Sequence, residues 1–428
     1  MLLSKRSILS KLLTLYFSLT LFNNPAFEIS GVSLSDVFGI LACIVFFARG
    51  LFDWDDLLKI NRLSLLLFAA VALIFCHQLV IGSFYGELNS SGAWITRAAV
   101  TFKIIMFAGI VWIFNREFQD IDSVHWLLDW IVSFAIIGVA AYLIQCVLLA
   151  TGRLPYGTFF DAGYVGVPAF GSVSIERGHF GKFMTPLFPF FLLVYVKHKR
   201  RLAWIGFLFV TVINISASSL SFFAAYVICT LTAYRSILKR PKYLMGGLVL
   251  LGFIAAGCVA FREVLWGVVN KIITAAFQGQ AGGGRGFSNF LDYLRLYPFG
   301  MSYGGSSLRN ISSLDEMNSG MMAFFTQFGV ISPIMLISYM TMLVIAVRKA
   351  KQIPDTLTRR MMIIGILMTA FIFSTDVLWF VPTIWLPILI SMTGGMQHGK
   401  CEICYVASLP KRVGLIKRFF ALATASIA

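Results

Sequence analysis

The chain has 428 residues, 58% hydrophobic and 13% charged, with a formal net charge of +16. Soluble domains usually carry about 25% charged residues, so this composition excludes an ordinary soluble enzyme. The positive balance does not point to nucleic acid here, because Lys and Arg gather in the cytoplasmic loops of membrane proteins and suit anionic lipids and lipid-linked phosphates.

Apolar runs recur at lengths that can cross a hydrocarbon core, which takes about 20 helical residues. Backbone groups in lipid must be satisfied within the segment, so Leu-, Ile- and Phe-rich runs of this length predict helices and not a barrel. The expected class is all-α, a polytopic integral membrane protein formed by residues 1–428 as one membrane domain. Cys43, Cys76, Cys146, Cys229 and Cys258 lie in apolar runs and read as small core residues, not as a disulfide framework.

In chain order, a basic start, Met1 to Lys11, leads into Leu12 to Phe22. No small-residue cleavage site follows at Asn23–Asn24–Pro25, so this reads as a first, uncleaved helix. Further spans are predicted at Val32 to Leu51, Leu63 to Gly82, Trp94 to Phe114 and Trp126 to Ala150. A long Gly- and aromatic-rich break, residues 151–181, precedes the apolar Lys182 to Val196. Leu202 to Ile215, Leu220 to Tyr234 and Tyr243 to Phe261 come next, then a second long break, residues 262–319. Gly320 to Val347, Met361 to Thr375 and Trp379 to Met396 complete about twelve spans, and a basic tail, residues 397–428, closes the chain.

Orientation follows from the basic loops. With both termini cytoplasmic, SKRSILSK, KHKRR, RSILKRPK, RKAKQIPDTLTRR and KRVGLIKR all fall inside, as the positive-inside bias requires. The two long breaks then share the outer face, the second as a large, partly helical outer loop. No internal repeat is visible, which counts against a transporter built from repeats.

Polar chemistry concentrates in those two breaks. SIERGHFGKF offers Glu176, Arg177 and His179, and the second break offers Arg285, Asp292, Arg295, Arg309, Asp315 and Glu316. Arginine binds phosphate bidentately and keeps its charge at any working pH. Several arginines with a carboxylate or imidazole able to take a proton would suit a lipid diphosphate at a membrane surface. Loop arginines that are merely solvated, or that snorkel, are the plainer alternative. GGGRG lacks the Gly-Lys-Ser/Thr ending of a phosphate-binding loop.

Within the spans, Arg97 either reaches the outer-face site or snorkels. Lys103, six residues deeper, lies on a different helix face and is not expected to share its partner. Asp376, at the tip of the last pair, is either an outer-face acid or, the plainer reading, a turn residue. HGKCEIC holds His398, Cys401 and Cys404, one ligand short of a structural zinc site, so no metal is expected. LPKRVGLIKRFF reads as a basic amphipathic segment on the inner leaflet.

Three places resemble the O-antigen polymerase and O-antigen ligase family of bacterial envelope enzymes. RGFSNFLDYLRLYPFGMSYGG, followed by MMAFFTQFGVISPI, is similar to the family's arginine, amphipathic segment and Pro-Phe-Gly run leading into a helix. SIERGHFGKF resembles its acid-plus-glycine segment, and SASSLSFFAAYV its Ser-rich helix start, without the arginine that often stands there. The histidine that ligases tend to carry in the large outer loop is absent between Arg262 and Ser319, which favours a polymerase. The likeness covers Gly171 to Pro333.

The resemblance implies metal-independent, cofactor-free, inverting transfer of a glycan from a polyprenyl diphosphate carrier, at the outer face of the bacterial inner membrane. It implies that Arg285 and Arg295 bind the diphosphate, with Arg177 assisting by its loop placement; Arg97 joins them if it reaches the outer-face site rather than snorkelling. Glu176, then His179, is the candidate base. Arg309, Asp315 and Glu316 are candidates for binding the acceptor. Expected partners are the lipid-linked glycan, membrane lipids and a chain-length regulator protein. A ligase, or from another class a lipid-linked oligosaccharide flippase, is the alternative.

Overall fold

Several helices start on short polar side chains that satisfy their first free N–H groups. A computed structural model describes residues 7–22, 28–29, 32–50, 59–60, 65–66, 68–70, 72–73, 76–77, 91–153, 183–198, 201–206, 294–300, 325, 327–375, 381–393 and 404–405. Ser7 caps α1 (Ile8–Leu19) by accepting the Ser10 N–H at 3.0 Å. Ser33 and Asp36 form a reciprocal capping box at the start of α2 (Leu34–Gly50): each side chain accepts the other's backbone N–H at 3.2 Å. After α3 (Ser91–Glu117), Asp120 caps α4 (Ile121–Ala150) through the Ser123 N–H at 2.7 Å. Downstream lie α5 (Phe188–His198) and α6 (Ser332–Lys351). Asp355 then caps α7 (Thr356–Thr375), accepting the Thr358 N–H at 2.8 Å, and α8 (Pro382–Met392) follows.

The described residues are mostly helical. Strand is limited to two short antiparallel pairs, β1 (Glu28–Ile29) with β2 (Val32–Ser33) and β3 (Lys59–Ile60) with β4 (Cys404–Tyr405). The first closes the turn between α1 and α2. The second joins the chain after α2 to the chain after α8.

Three helical stretches among the described residues are long and apolar enough to cross a membrane: Ile121–Gln145, Gly329–Lys351 and Thr356–Phe373. Ile8–Leu19 and Pro382–Met392 are apolar but shorter. These helices mark a membrane protein. The predicted spans at Leu220 to Tyr234 and Tyr243 to Phe261 lie outside the described residues, and those at Leu63 to Gly82 and Leu202 to Ile215 lie partly outside.

The helices close a circuit in which α1 packs on α4, α4 on α5, α5 on α7, α7 on α8, α8 on α3, and α3 on α1. A continuous core runs through it, from Phe17 and Phe114 (rings 5.5 Å apart, edge-on) to Tyr339, which stacks on Phe373 at 4.2 Å and meets Trp385 edge-on at 5.7 Å. Pro387 removes one N–H from α8. In that turn the Thr369 hydroxyl donates to the Ile384 carbonyl at 2.6 Å.

Chain direction gives the bundle two distinct ends. At one lie the start of α1, the α3–α4 turn, the end of α5 and the α6–α7 turn. Glu117 there accepts from the Ser7 hydroxyl and, at 2.7 Å, from the Ser10 hydroxyl. His198 Nδ1 lies 2.6 Å from Asp129 Oδ2, and Lys197 Nζ lies 3.0 Å from Asp355 Oδ1. Arg49, Arg116, Arg348, Lys351 and Arg359 belong to this end too. The opposite end holds the start of α3, Arg153 and Gly329.

One charge pair lies between the ends. Lys103 sits on α3 about 21 Å from Glu117 along the axis. Its Nζ is 3.1 Å from Asp36 Oδ2, so the capping-box acid of α2 is its partner. Asp36 is buried, and removing only its cation leaves an uncompensated charge. Lys103→Met is expected to lower the melting temperature in detergent, and adding Asp36→Asn to restore much of the loss. Additive losses in that double-mutant cycle would show the pair is uncoupled.

Asp355 supplies a second test. Burial pushes its carboxyl upward, but hydrogen bonds from the Thr358 hydroxyl and N–H, together with Lys197, outweigh burial and hold it below the usual carboxylate range. A depressed native pKa stabilises fully above the unfolded value, roughly pH 4, and that stability disappears as pH falls through the native value. The stability gap between wild type and Asp355→Asn is expected to be widest near neutrality and to close in acid, as read from unfolding curves across that range.

Candidate functional site

The described part of the segment carrying most of the predicted site begins with a helical turn, residues 294–296. Tyr297 is buried, while Arg295, Leu296 and Phe299 are exposed. Pro298 stops the helix, having no N–H to continue it. The Gly300 N–H closes the turn onto the Tyr297 carbonyl at 2.8 Å.

This turn is pressed against the chain entering α6. The Val330 N–H donates to the Pro298 carbonyl at 3.0 Å. Gly300 (φ +81°) and Gly329 (φ +52°) face each other, both in the left-handed region. A Cβ on Gly300 would stand 2.4 Å from the Gln327 carbonyl oxygen, and one on Gly329 would stand 2.2 Å from that of Pro298. Both the dihedrals and the contact therefore require glycine at these two positions. The Pro-Phe-Gly run and the Gln-Phe-Gly run, separate in sequence, form one backbone-to-backbone joint.

His77 completes the joint from a third place in the chain. Its Nε2 lies 2.5 Å from the Phe299 carbonyl oxygen, and its ring centroid lies 5.3 Å from that of Phe328. The ring is 4% exposed, and its Nδ1 is buried without a hydrogen-bond partner.

Of the residues singled out from sequence, Arg295 is brought to the Gly329 end of the bundle. Arg97 lies in the first two turns of α3, at that same end; its side chain is outside the described residues. Glu176, Arg177, His179, Arg285, Asp292, Arg309, Asp315, Glu316, Asp376, His398 and Cys401 also lie outside them. The chain on either side of the break at 151–181 is described at Arg153, just past the end of α4, and at Phe183, which is fully buried. Cys404 belongs to β4. No group of three His, Cys, Asp or Glu side chains suited to a metal ion occurs among the described residues.

Two relevant groups were not anticipated from sequence. His77 stands in the apolar run LIFCHQLV, and an ionisable residue in such a run is itself a signal. Asp36 was legible as a helix-cap acid in SLSD, but its bond to Lys103 was not.

Comparison with known proteins gives no matching family model and no matching curated relative.

The joint makes a direct prediction. Gly329→Ala combines a disfavoured dihedral with a backbone clash, a class of strain that costs about 1–3 kcal/mol. It is expected to lower the melting temperature of the detergent-solubilised protein and to speed amide exchange across residues 297–300. Unchanged melting and exchange would show that the two glycine turns separate without cost.

Proposed function

We propose that the protein polymerises lipid-linked oligosaccharide repeat units, of O-antigen or exopolysaccharide type, at the outer face of the bacterial inner membrane. The observation that carries the reading is that the Arg295 turn, at one end of an apolar helix bundle, is joined through its Pro-Phe-Gly run to the entry of α6 and to His77. Of the family-like motifs quoted above, the Pro-Phe-Gly and Gln-Phe-Gly runs fall on that same turn and joint.

Orientation is supported by charge. Arg49, Arg116, Lys197, Arg348, Lys351 and Arg359 lie at the Ser7 end, which the positive-inside bias assigns to the cytoplasm. The Gly329 end then faces outward. In this reading the chain crosses about twelve times, with both termini inside. The β3–β4 pair fits, since it joins the tail to the loop after α2 at the Ser7 end.

The chemistry is a displacement at the anomeric carbon of the carrier-linked glycan. A hydroxyl oxygen of the acceptor unit forms the new bond, and the bond to the diphosphate oxygen breaks and leaves its electron pair there. The acceptor proton passes to Glu176, or to His179. Arg285 and Arg295, assisted by Arg177 and Arg97, stabilise the charge growing on the leaving diphosphate, usually the largest contribution in such transfers. Arg309, Asp315 and Glu316 hold the acceptor. Exposed Leu296 and Phe299 beside Arg295 suit a lipid carrier, whose headgroup is anionic and whose chain is apolar. A chain-length regulator is the protein partner this activity calls for.

Arg295→Ala is expected to leave protein abundance unchanged while surface glycan shortens to single repeat units on electrophoresis. Long chains in that mutant would remove Arg295 from the site. Intact chains that fail to reach their final acceptor would indicate a ligase instead.

A further inference from the structure

The two nitrogens of His77 have unlike surroundings. Nε2 lies 2.5 Å from the Phe299 carbonyl oxygen. A carbonyl can only accept, so Nε2 carries the proton and Nδ1 bears the lone pair. Nδ1 is buried and has no hydrogen-bond partner. A side chain needed only to fill this space against Phe328 would do better as an apolar group, because a buried acceptor without a donor is a net cost. The polar ring is useful here only through the bond it makes to Phe299.

That bond completes a set. The Tyr297 carbonyl is held by the Gly300 N–H within the turn, and the Pro298 carbonyl by the Val330 N–H at the entry to α6. His77 holds the next carbonyl, that of Phe299, from a separate helical segment at residues 76–77. Three successive carbonyls are thus pinned, two of them by outside elements. Arg295 lies two residues before the first. Pinning the turn that follows fixes the backbone from which the Arg295 side chain projects.

We infer that His77 is a positioning residue, tethering the Tyr297–Gly300 turn so that Arg295 is held toward the diphosphate of the lipid-linked substrate. The inference rests on the polymerase reading above. His77 acts through Arg295 and takes no proton in the transfer.

Three substitutions separate the roles of the two nitrogens. Gln places an amide N–H about where Nε2 stands and has nothing polar at Nδ1. Asn reaches only as far as Nδ1. Leu keeps bulk and supplies neither group. With full-length protein in membranes, polymerisation of purified lipid-linked repeat units is the assay.

His77→Leu and His77→Asn are expected to lower kcat/KM by about 100-fold, the usual effect of a misplacement of about 1 Å. His77→Gln is expected to remain within about fivefold of wild type. Amide exchange across residues 294–300 should quicken in the Leu and Asn variants and stay native in Gln. A merely space-filling role would instead leave His77→Leu active and protected.

If Arg295→Ala is inactive while His77→Leu keeps wild-type turnover and exchange, the inference about His77 falls and the polymerase reading stands. If His77→Gln fails as badly as Leu although its exchange is native, the tether is not what matters, and the inference again falls alone. If Arg295→Ala polymerises normally, Arg295 is not in the site and the inference about His77 falls, while the polymerase reading falls only if the wild-type protein elongates no lipid-linked repeat units.

Discussion

A peptide group or charge left unpaired in hydrocarbon is costly, and the chain meets that cost in different ways at different depths. Between α2 and α3, Lys103 is paired with Asp36, the acid that also caps α2. In α8, the turn disturbed by Pro387 receives a donor from Thr369 on its neighbour. Thr14, Ser338 and Thr341 return their hydroxyls to carbonyls one turn earlier on their own helices. Polar side chains in these helices act as local partners, and so apolar faces can point outward: on α6, Ile334, Ile337, Met340 and Val344 are all exposed.

The two ends of the bundle are fastened by different physics. At the Ser7 end, long charged side chains from separate helices meet, with His198 on Asp129 and Lys197 on Asp355, next to helix caps that use the same acids or their neighbours. Such pairs are adjustable and depend on charge state. At the Gly329 end the fastening is backbone on backbone, with two glycines face to face and carbonyls pinned by Val330 and His77. Contacts of that kind have little tolerance in distance. In the proposed reading, a joint of this kind beneath Arg295 would suit the orienting of a headgroup, since misplacement by about 1 Å is enough to slow catalysis strongly.

Much of this was legible in the sequence for a simple reason: helix formation in an apolar run depends on neighbours a few residues apart. The predicted spans at Val32 to Leu51, Trp94 to Phe114, Trp126 to Ala150 and Met361 to Thr375 coincide with α2, α3, α4 and α7 to within a few residues. The capping box at Ser33 and Asp36 is likewise a local pattern. Among the described residues, Arg49, Arg116, Lys197, Arg348, Lys351 and Arg359 fall at one end. The Pro-Phe-Gly and Gln-Phe-Gly runs stood out as motifs without any sign that they touch. The strand pairing of Lys59–Ile60 with Cys404–Tyr405 joins residues far apart in the chain, and no periodicity announces it.

What the sequence determined alone is the class: a mostly helical membrane protein, with the approximate limits of the described helices. Each follows from composition and short-range spacing. The tertiary structure decided which separated groups meet: Lys103 with Asp36, Gly300 with Gly329, and His77 with the carbonyl beyond Pro298. The physical reason is that such contacts depend on how helices are placed around one another. That placement is set by the packing of whole faces, so no stretch of sequence contains both partners and the distance between them.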